Sequence, residues 1–164
     1  LLIDGILVLS GLAPPDDLRY AVHEGEKDPL LGWLPDAKRG YHPAPLFSAE
    51  GNARRGVTGL VTLLVPFEGS QPPDPGVERM NGANGSMGFR LAWPDGTEEI
   101  VAFTSGLATQ VDRIGPLESD GNLVLVTLDG GRPVRALLAD GMFLEMDGRR
   151  LIDERTAGTY RYTI

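Results

Sequence analysis

The sequence predicts an all-β fold of antiparallel strands, and two observations support this prediction. Glycine (22 residues) and proline (13) are abundant in a chain of 164 residues, which is typical of many short strands joined by turns. Asp-Gly pairs, which tolerate the positive φ of tight hairpin turns, occur six times. No window keeps apolar residues at helical spacing long enough to predict a helix. We therefore expect a jelly-roll-like antiparallel two-sheet β-sandwich with about ten to thirteen short strands and little or no helix.

Alternation of apolar and polar residues between the turns defines the strands. The leucine- and valine-rich run at 122–128 predicts a strand buried on both faces. Two stretches resist a strand interpretation, namely 24–44 and the proline-rich 68–76, and a loop as long as the first is often functional. The predicted strands are 1–10, 18–23, 45–49, 57–65, 87–93, 98–104, 122–128, 134–139, 142–146, 149–153 and 159–164.

The length suits one domain, so we expect residues 1–164 to form a single β-sandwich domain. Because the chain opens with a strand-like run and has neither an initiator Met nor a basic leader, we expect it to be part of a larger protein. It has no cysteine, so disulfides and thiolate chemistry are excluded. No run approaches the ~20 apolar residues of a membrane-spanning helix.

The formal net charge of −8 argues against two classes of partner. Nucleic acids and anionic membrane surfaces both require a basic face, so we expect neither as a partner. An acidic polysaccharide stays compatible, because a local group of arginines can bind carboxylate or sulfate groups.

The search for catalytic and metal-binding patterns is largely negative. The two histidines lack metal-ligand spacing, and neither a nucleophile elbow nor a phosphate-binding loop is present. We expect His23, at the end of a strand, to be a partnered or edge histidine rather than a catalytic one. Glu98 and Glu99 are strand neighbours that point to opposite faces. We therefore assign no catalytic residue, no metal site and no cofactor; calcium at an Asp-Gly turn is a weaker alternative, since no EF-hand pattern is present.

The long stretch 24–44 carries the candidate binding site. Aromatic rings stack on the apolar faces of sugars, and cationic side chains bind their acidic groups. The same residues equally fit a loop that Trp33 pins to the sheet, so both interpretations stay open. The candidate substrate-binding residues are Trp33, Lys38, Arg39, Tyr41 and His42.

Four motifs follow one another in the first half of the chain: Gly32-Trp33, Tyr41, Pro-Ala-Pro-Leu at 43–46, and Val-Thr-Leu-Leu-Val-Pro-Phe at 61–67. Short apolar strands around two Asp-Gly turns, over 137–152, close the pattern. This order resembles the C-terminal region of heparinase II/III-like polysaccharide lyases, and the resemblance covers roughly residues 1–155.

The resemblance implies an exported bacterial enzyme, periplasmic or secreted, with an α/α-toroid domain followed by a two-layer antiparallel β domain. It implies β-elimination of uronic-acid polysaccharides such as glycosaminoglycans or alginate, in which a base removes the C5 proton and an acid assists the leaving oxygen. The family's catalytic Tyr and His residues lie on segments that precede this chain, so no catalytic residue is transferred. The implied partners are the toroid domain and, through the full-length protein, an acidic polysaccharide. The alternatives are a stand-alone carbohydrate-binding module and a purely structural β-sandwich.

Overall fold

A computed structural model describes residues 5–10, 19–38, 40–50, 61–82, 85–104 and 111–164. These residues form sixteen strands joined by turns and irregular segments, and every strand pair is antiparallel. The predicted all-β, sandwich-like fold class is confirmed. The chain divides into two compact units, Leu1–Glu68 and Gly69–Ile164, and the single domain expected from the length stays a prediction.

The first unit consists, in its described part, of four two-stranded sheets. The prediction that 24–44 lacks strands is wrong, because four short strands lie within it. Gly25 and Gly32 have φ of 63° and 69°, a conformation open to glycine that lets the chain reverse direction within a few residues. The strands are β1 (Gly5–Ser10), paired with β8 (Thr62–Phe67); β2 (Arg19–His23), paired with β7 (Leu46–Glu50); β3 (Glu26–Lys27), paired with β4 (Leu30–Leu31); and β5 (Trp33–Pro35), paired with β6 (Tyr41–Pro43).

The second unit contains an eight-stranded antiparallel sheet whose strand order is β12-β13-β15-β14-β11-β10-β9, with β16 paired to β15. A bridge between Gly82, which follows β9, and Ile114 of β12 joins the two ends, so the sheet is nearly closed. The strands are β9 (Gly76–Asn81), β10 (Met87–Ala92), β11 (Thr97–Phe103), β12 (Asp112–Ile114), β13 (Leu117–Ser119), β14 (Leu123–Asp129), β15 (Arg132–Met146) and β16 (Arg149–Thr163).

The core of this unit is formed by alternate residues on one face of the sheet, as the period of a β-strand requires. In β14 Val124, Val126 and Leu128 are buried, whereas Leu123 and Leu125 on the other face are half-buried. The predicted burial of both faces of this strand therefore holds for one face only. Burying each large apolar side chain contributes about 1.5–3 kcal/mol. The core cluster comprises Ile100, Ala102, Ile114, Leu117, Val124, Val126, Leu128, Ala136, Leu138, Leu144, Met146 and Ile152.

The long strand β15 continues through Asp140-Gly141, where the sequence predicted a turn between two strands. Asp140 has a φ of 55°, and the ladder to β16 shifts register between Leu138 and Gly141, which is the geometry of a bulge. The first half of β15 pairs with β14 and its last residues pair with β13. An Asp-Gly pair thus bends one strand between two partners instead of ending it.

The carboxylate of Asp120 stabilises this bend. Its Oδ1 accepts hydrogen bonds from the backbone N–H groups of Met142 (2.8 Å) and Phe143 (2.9 Å). The backbones also approach closely, since a Cβ added to Gly141 would lie 2.6 Å from the Cα of Gly121. Because glycine has no Cβ, Gly121 and Gly141 allow the segment after β13 and the bend of β15 to come this close.

Other Asp-Gly pairs act as predicted. Asp147 and Gly148 have φ of 50° and 78° and form the turn between β15 and β16. This is the positive-φ pattern that a tight hairpin needs. The predicted strands 149–153 and 159–164 are joined into β16, a single strand with register shifts against β15.

Candidate functional site

The β5–β6 hairpin contains three of the predicted binding residues. Trp33 pairs with Pro43, Leu34 with His42, and Pro35 with Tyr41. Residues paired across an antiparallel ladder point to the same side, and neighbours along a strand point to opposite sides. Tyr41 therefore lies on the face of Trp33, and His42 lies on the opposite face.

A hydrogen bond fixes the Trp33 side chain to the backbone of β3. Its Nε1 donates a 2.7 Å hydrogen bond to the carbonyl oxygen of Glu26, and its side chain is half-buried. A side chain at Gly25 would meet the Trp33 ring at 3.6 Å. Of the two interpretations left open by the sequence, this geometry favours the one in which Trp33 pins the segment.

The turn of the hairpin is organised by Asp36. Its Oδ1 accepts hydrogen bonds from the backbone N–H groups of Lys38 and Gly40, each at 2.8 Å. Lys38, Tyr41 and His42 are exposed, and Tyr41 retains 68% of its accessible surface. Arg39 lies outside the described residues. The turn therefore offers an exposed aromatic ring and an exposed cation, and sugar binding by these residues stays a prediction.

Gly32 holds the start of this hairpin against the end of β2. Its carbonyl oxygen accepts hydrogen bonds from the backbone N–H groups of Gly25 and Ala44, both at 2.9 Å. A Cβ at this position would lie 2.4 Å from the carbonyl oxygen of His23. Since Gly32 also has a positive φ of 69°, no other residue fits without displacing the backbone.

A hydrogen-bonded chain of three polar side chains lies where β2 meets β7. The Nδ1 atom of His23 lies 2.9 Å from Oε1 of Glu26, and its Nε2 atom lies 3.0 Å from Oγ of Ser48. The side chains of His23 and Glu26 retain 19% and 41% of their accessible surface, and Ser48 is half-buried. His23 therefore has a hydrogen-bond partner at each ring nitrogen, as expected for a partnered histidine, and the expectation that it is not catalytic stays a prediction.

The chemistry of these groups sets the direction of the hydrogen bonds. An ionised carboxylate only accepts, so the Nδ1–H of His23 donates to Glu26. In the neutral imidazole Nε2 is then the acceptor, and the hydroxyl of Ser48 donates to it. The sequence singled out neither Glu26 nor Ser48, because Ser48 lies 25 positions from His23 and only the β2–β7 ladder brings it close.

The charged side chain of Arg150 has several partners near the β15–β16 turn. The guanidinium of Arg150 lies 4.3 Å from the centre of the Phe143 ring and 3.7 Å from carboxylate oxygens of Glu145 and Asp153. The sequence has two Arg-Arg pairs, at 54–55 and 149–150, and these contacts of Arg150 agree with a structural role for the second pair. The first pair lies outside the described residues.

A small cavity of ≈ 280 Å³ beside the β15–β16 turn is lined by Arg113 and Glu118. The Nη2 of Arg113 lies 2.5 Å from Oε2 of Glu118. This hydrogen bond and the carboxylate charge raise the pKa of the Arg113 guanidinium above its usual value. The lining also includes Glu145 and Asp147, so its carboxylates outnumber its one guanidinium and the cavity disfavours an anionic ligand.

The predicted separation of Glu98 and Glu99 is confirmed by their partners. Glu98 accepts a hydrogen bond from Nε of Arg90 at 2.7 Å, whereas Glu99 accepts one from Nε1 of Trp93 at 3.2 Å. In the β10–β11 ladder Glu98 is paired with Ala92 and Glu99 with Leu91, and neighbours along a strand point to opposite faces. The two carboxylates therefore form no paired site.

Within the described ranges, no group of three or more His, Cys, Asp or Glu side chains is arranged to hold a metal ion. In that same part of the chain, no helix has the length and apolar character needed to cross a bilayer.

No protein-family model matches the chain, and no curated protein matches its sequence significantly.

Proposed function

We propose that the chain is the C-terminal β domain of a heparinase II/III-like polysaccharide lyase. In this proposal the complete protein cleaves uronic-acid polysaccharides by β-elimination, and the β domain supports the catalytic domains. The complete protein is periplasmic or secreted. The all-β antiparallel fold agrees with the domain that the sequence resemblance implies.

The observation that carries the proposal is the strict local requirement at the Gly32-Trp33 motif. Gly32 combines a positive φ with a Cβ position 2.4 Å from backbone oxygen, and Trp33 donates its indole N–H to the chain at Glu26. The Pro-Ala-Pro-Leu motif contributes Ala44, whose N–H donates to Gly32. The Gly-Trp motif and the Pro-Ala-Pro-Leu motif thus contact each other through this hydrogen bond, which supports treating them as parts of one pattern.

The test measures elimination directly, through the ultraviolet absorbance of the unsaturated uronate product. The complete polypeptide should generate this product from heparin, heparan sulfate or alginate, and a version lacking these 164 residues should lose activity. The isolated chain should generate none. Product formed by the isolated chain, or a complete protein without elimination activity on any uronate polymer, would contradict the proposal.

A matched pair of glycine variants tests whether the β domain supports the enzyme. In the complete protein, Gly32→Ala should lower activity and domain stability together, because its Cβ meets backbone at 2.4 Å. Gly69→Ala is the control, since Gly69 also has a positive φ but has no atom within 4 Å of the Cβ position. Equal effects of both variants would show that left-handed strain alone, and not the packing at Gly32, is responsible.

A second candidate function is carbohydrate binding by the isolated chain, favoured by the exposure of Tyr41 on the face of Trp33. Calorimetric titration with alginate, heparin and a neutral glycan should detect binding that Tyr41→Ala weakens by about two- to tenfold, if one sugar–aromatic stack contributes as much as an aromatic pair, ~0.5–1.5 kcal/mol. Leu34→Ala, on the opposite face and also exposed, is the control. Unchanged affinity in Tyr41→Ala would remove this site.

A further inference from the structure

The hydrogen-bonded chain Ser48–His23–Glu26 has the connectivity of a nucleophile, a base and an orienting carboxylate. The Nε2 of His23 faces Oγ of Ser48 at 3.0 Å, and its Nδ1 faces Glu26 at 2.9 Å. At 3.0 Å from Oγ of Ser48, the His23 ring is close enough to activate this hydroxyl as a base. The 2.9 Å hydrogen bond to Glu26 orients the ring. Such a triad is recognised by this geometry and not by the order or spacing of its residues in the sequence.

From this arrangement we propose that the first unit carries a serine esterase site, in which Ser48 is the nucleophile, His23 the general base and acid, and Glu26 the positioning residue. The proposal is independent of the lyase function, since ester hydrolysis and β-elimination give different products.

A tight turn after β2 and the pairing of β2 with β7 position the triad. His23 ends β2, and Gly25, with a φ of 63°, reverses the chain so that Glu26 returns beside His23. The Gly25 N–H donates to the carbonyl of Gly32 at 2.9 Å, which fixes this turn. Ser48 is held on the neighbouring strand, where it pairs with Ala21. The His23 ring is thus anchored at both nitrogens, as a preorganised base should be.

The surroundings of Ser48 indicate the substrate class. On its face of the β2–β7 ladder, Ala21 is opposite Ser48, and Leu46 is opposite His23. Ala21 and Leu46 are exposed, so the nucleophile opens onto a shallow, weakly apolar surface. This surface suits a short acyl group, such as acetyl, and gives no enclosure for a long acyl chain.

Arg19 lies on the same face, two positions from Ala21 and on the side away from His23. Diagonal neighbours on a sheet face are about 7–8 Å apart, which a long side chain can span. Arg19 is paired with Glu50 in this ladder, and its side chain is long enough to reach a carbonyl oxygen attacked by Ser48, where its role in the proposal is to stabilise negative charge.

The reaction uses water as the second substrate. Oγ of Ser48 attacks the ester carbonyl while its proton passes to Nε2 of His23; the acyl C–O bond then breaks, and the departing alkoxide takes that proton and leaves as the alcohol. Water next attacks the acyl-serine, passes a proton to His23, and releases the carboxylic acid as the proton returns to Ser48. Glu26 keeps Nδ1 protonated throughout, so Nε2 stays free to accept.

The experiment uses 4-nitrophenyl acetate as the substrate and a fluorophosphonate as a covalent probe of the nucleophile. Wild-type chain should hydrolyse the ester and should be labelled at Ser48, with fluoride as the leaving group, as found by peptide mass mapping. Ser48→Ala should abolish labelling, and Ser48→Ala and His23→Ala should each lower the rate by about 10²-fold or more. Glu26→Gln should slow labelling while leaving the melting temperature close to that of the wild type.

Ser70→Ala and Glu24→Gln are matched controls, since both residues are exposed and lie outside the triad; they should keep the wild-type rate. The melting temperature of each variant separates loss of chemistry from loss of folding. A folded wild type that hydrolyses the ester no faster than Ser48→Ala, or that carries no label on Ser48, would overturn the proposal. Faster hydrolysis of 4-nitrophenyl acetate than of the butyrate ester would support the preference for a short acyl group, and faster hydrolysis of the butyrate ester would contradict it.

Discussion

Replacing Gly141 by alanine should destabilise the second unit far more than a glycine-to-alanine change usually does. The added Cβ would lie 2.6 Å from Cα and 2.7 Å from N of Gly121, so it would clash with backbone that has no rotamer to change. Ordinary contacts at a Cβ begin near 3.4 Å, so the two segments must separate by most of an ångström.

The cost follows from what this separation breaks. Overpacking of this kind costs about 1–3 kcal/mol. Moving the segments apart also lengthens the two bonds from Asp120 to the N–H groups of Met142 and Phe143, each worth about 1 kcal/mol. We therefore expect the free energy of unfolding to fall by about 3 kcal/mol.

Urea unfolding followed by circular dichroism measures this loss, and Gly76→Ala is the control. Neither Gly76 nor Gly141 has a positive φ, but the Cβ of Gly76→Ala would lie 3.7 Å from the Cβ of Ala92, an ordinary contact. The control should change stability by less than about 1 kcal/mol, since it gains β propensity without a clash. A Gly141→Ala variant as stable as the control would refute the close approach of the backbones at the bend.

Two further predictions concern the same unit. Leu138→Ala, at a side chain with no exposed surface, should cost about 2–5 kcal/mol in urea unfolding, whereas Val77→Ala, at a residue 40% exposed, should cost less than about 1 kcal/mol; similar losses would place Leu138 outside the core. The Thr97 side-chain and backbone hydrogen bonds hold the pKa of Asp95 below its ordinary 3.8, so this carboxylate stabilises the fold above pH 3.8 and the stabilisation disappears as the pH falls through the lower folded value. Thr97→Val should raise the Asp95 pKa in a titration followed by NMR, and an unchanged pKa would exclude the hydroxyl as the main cause.

Much of the β structure was predictable because local patterns dictate it. The Asp147-Gly148 turn and the alternation in β14 depend on backbone propensity and on a period of two, and both can be seen in a few residues of sequence. The same reasoning failed at Asp140-Gly141, since a positive φ serves a bulge as well as a hairpin turn. Whether an Asp-Gly pair at this position makes a bulge or a turn depends on Asp120, which lies about twenty positions earlier in the chain.

The candidate site was less predictable for a related reason. Trp33 and Tyr41 stood out because the long stretch 24–44 combines aromatic and cationic side chains, yet the structural use of the Trp33 N–H depends on the position of Glu26. The Ser48–His23–Glu26 contacts gave no sequence signal, because serine and glutamate are common residues and their approach requires the β2–β7 register. Composition and periodicity do not show which distant strands pair, and this pairing decides which side chains meet.

The single bridge between Gly82 and Ile114 has a consequence for the motions of the second unit. Ladders of at least three residue pairs join the other neighbouring strands of the sheet, whereas in the described residues β9 and β12 are joined through this bridge. A nearly closed sheet with one such seam opens there before it unfolds elsewhere, because fewer hydrogen bonds must break. Amide hydrogens of β9 and β12 should then exchange with solvent by local opening, while those of β14 and β15 exchange only when the whole unit unfolds. The seam would also be the place where a transiently exposed strand edge could pair with another chain.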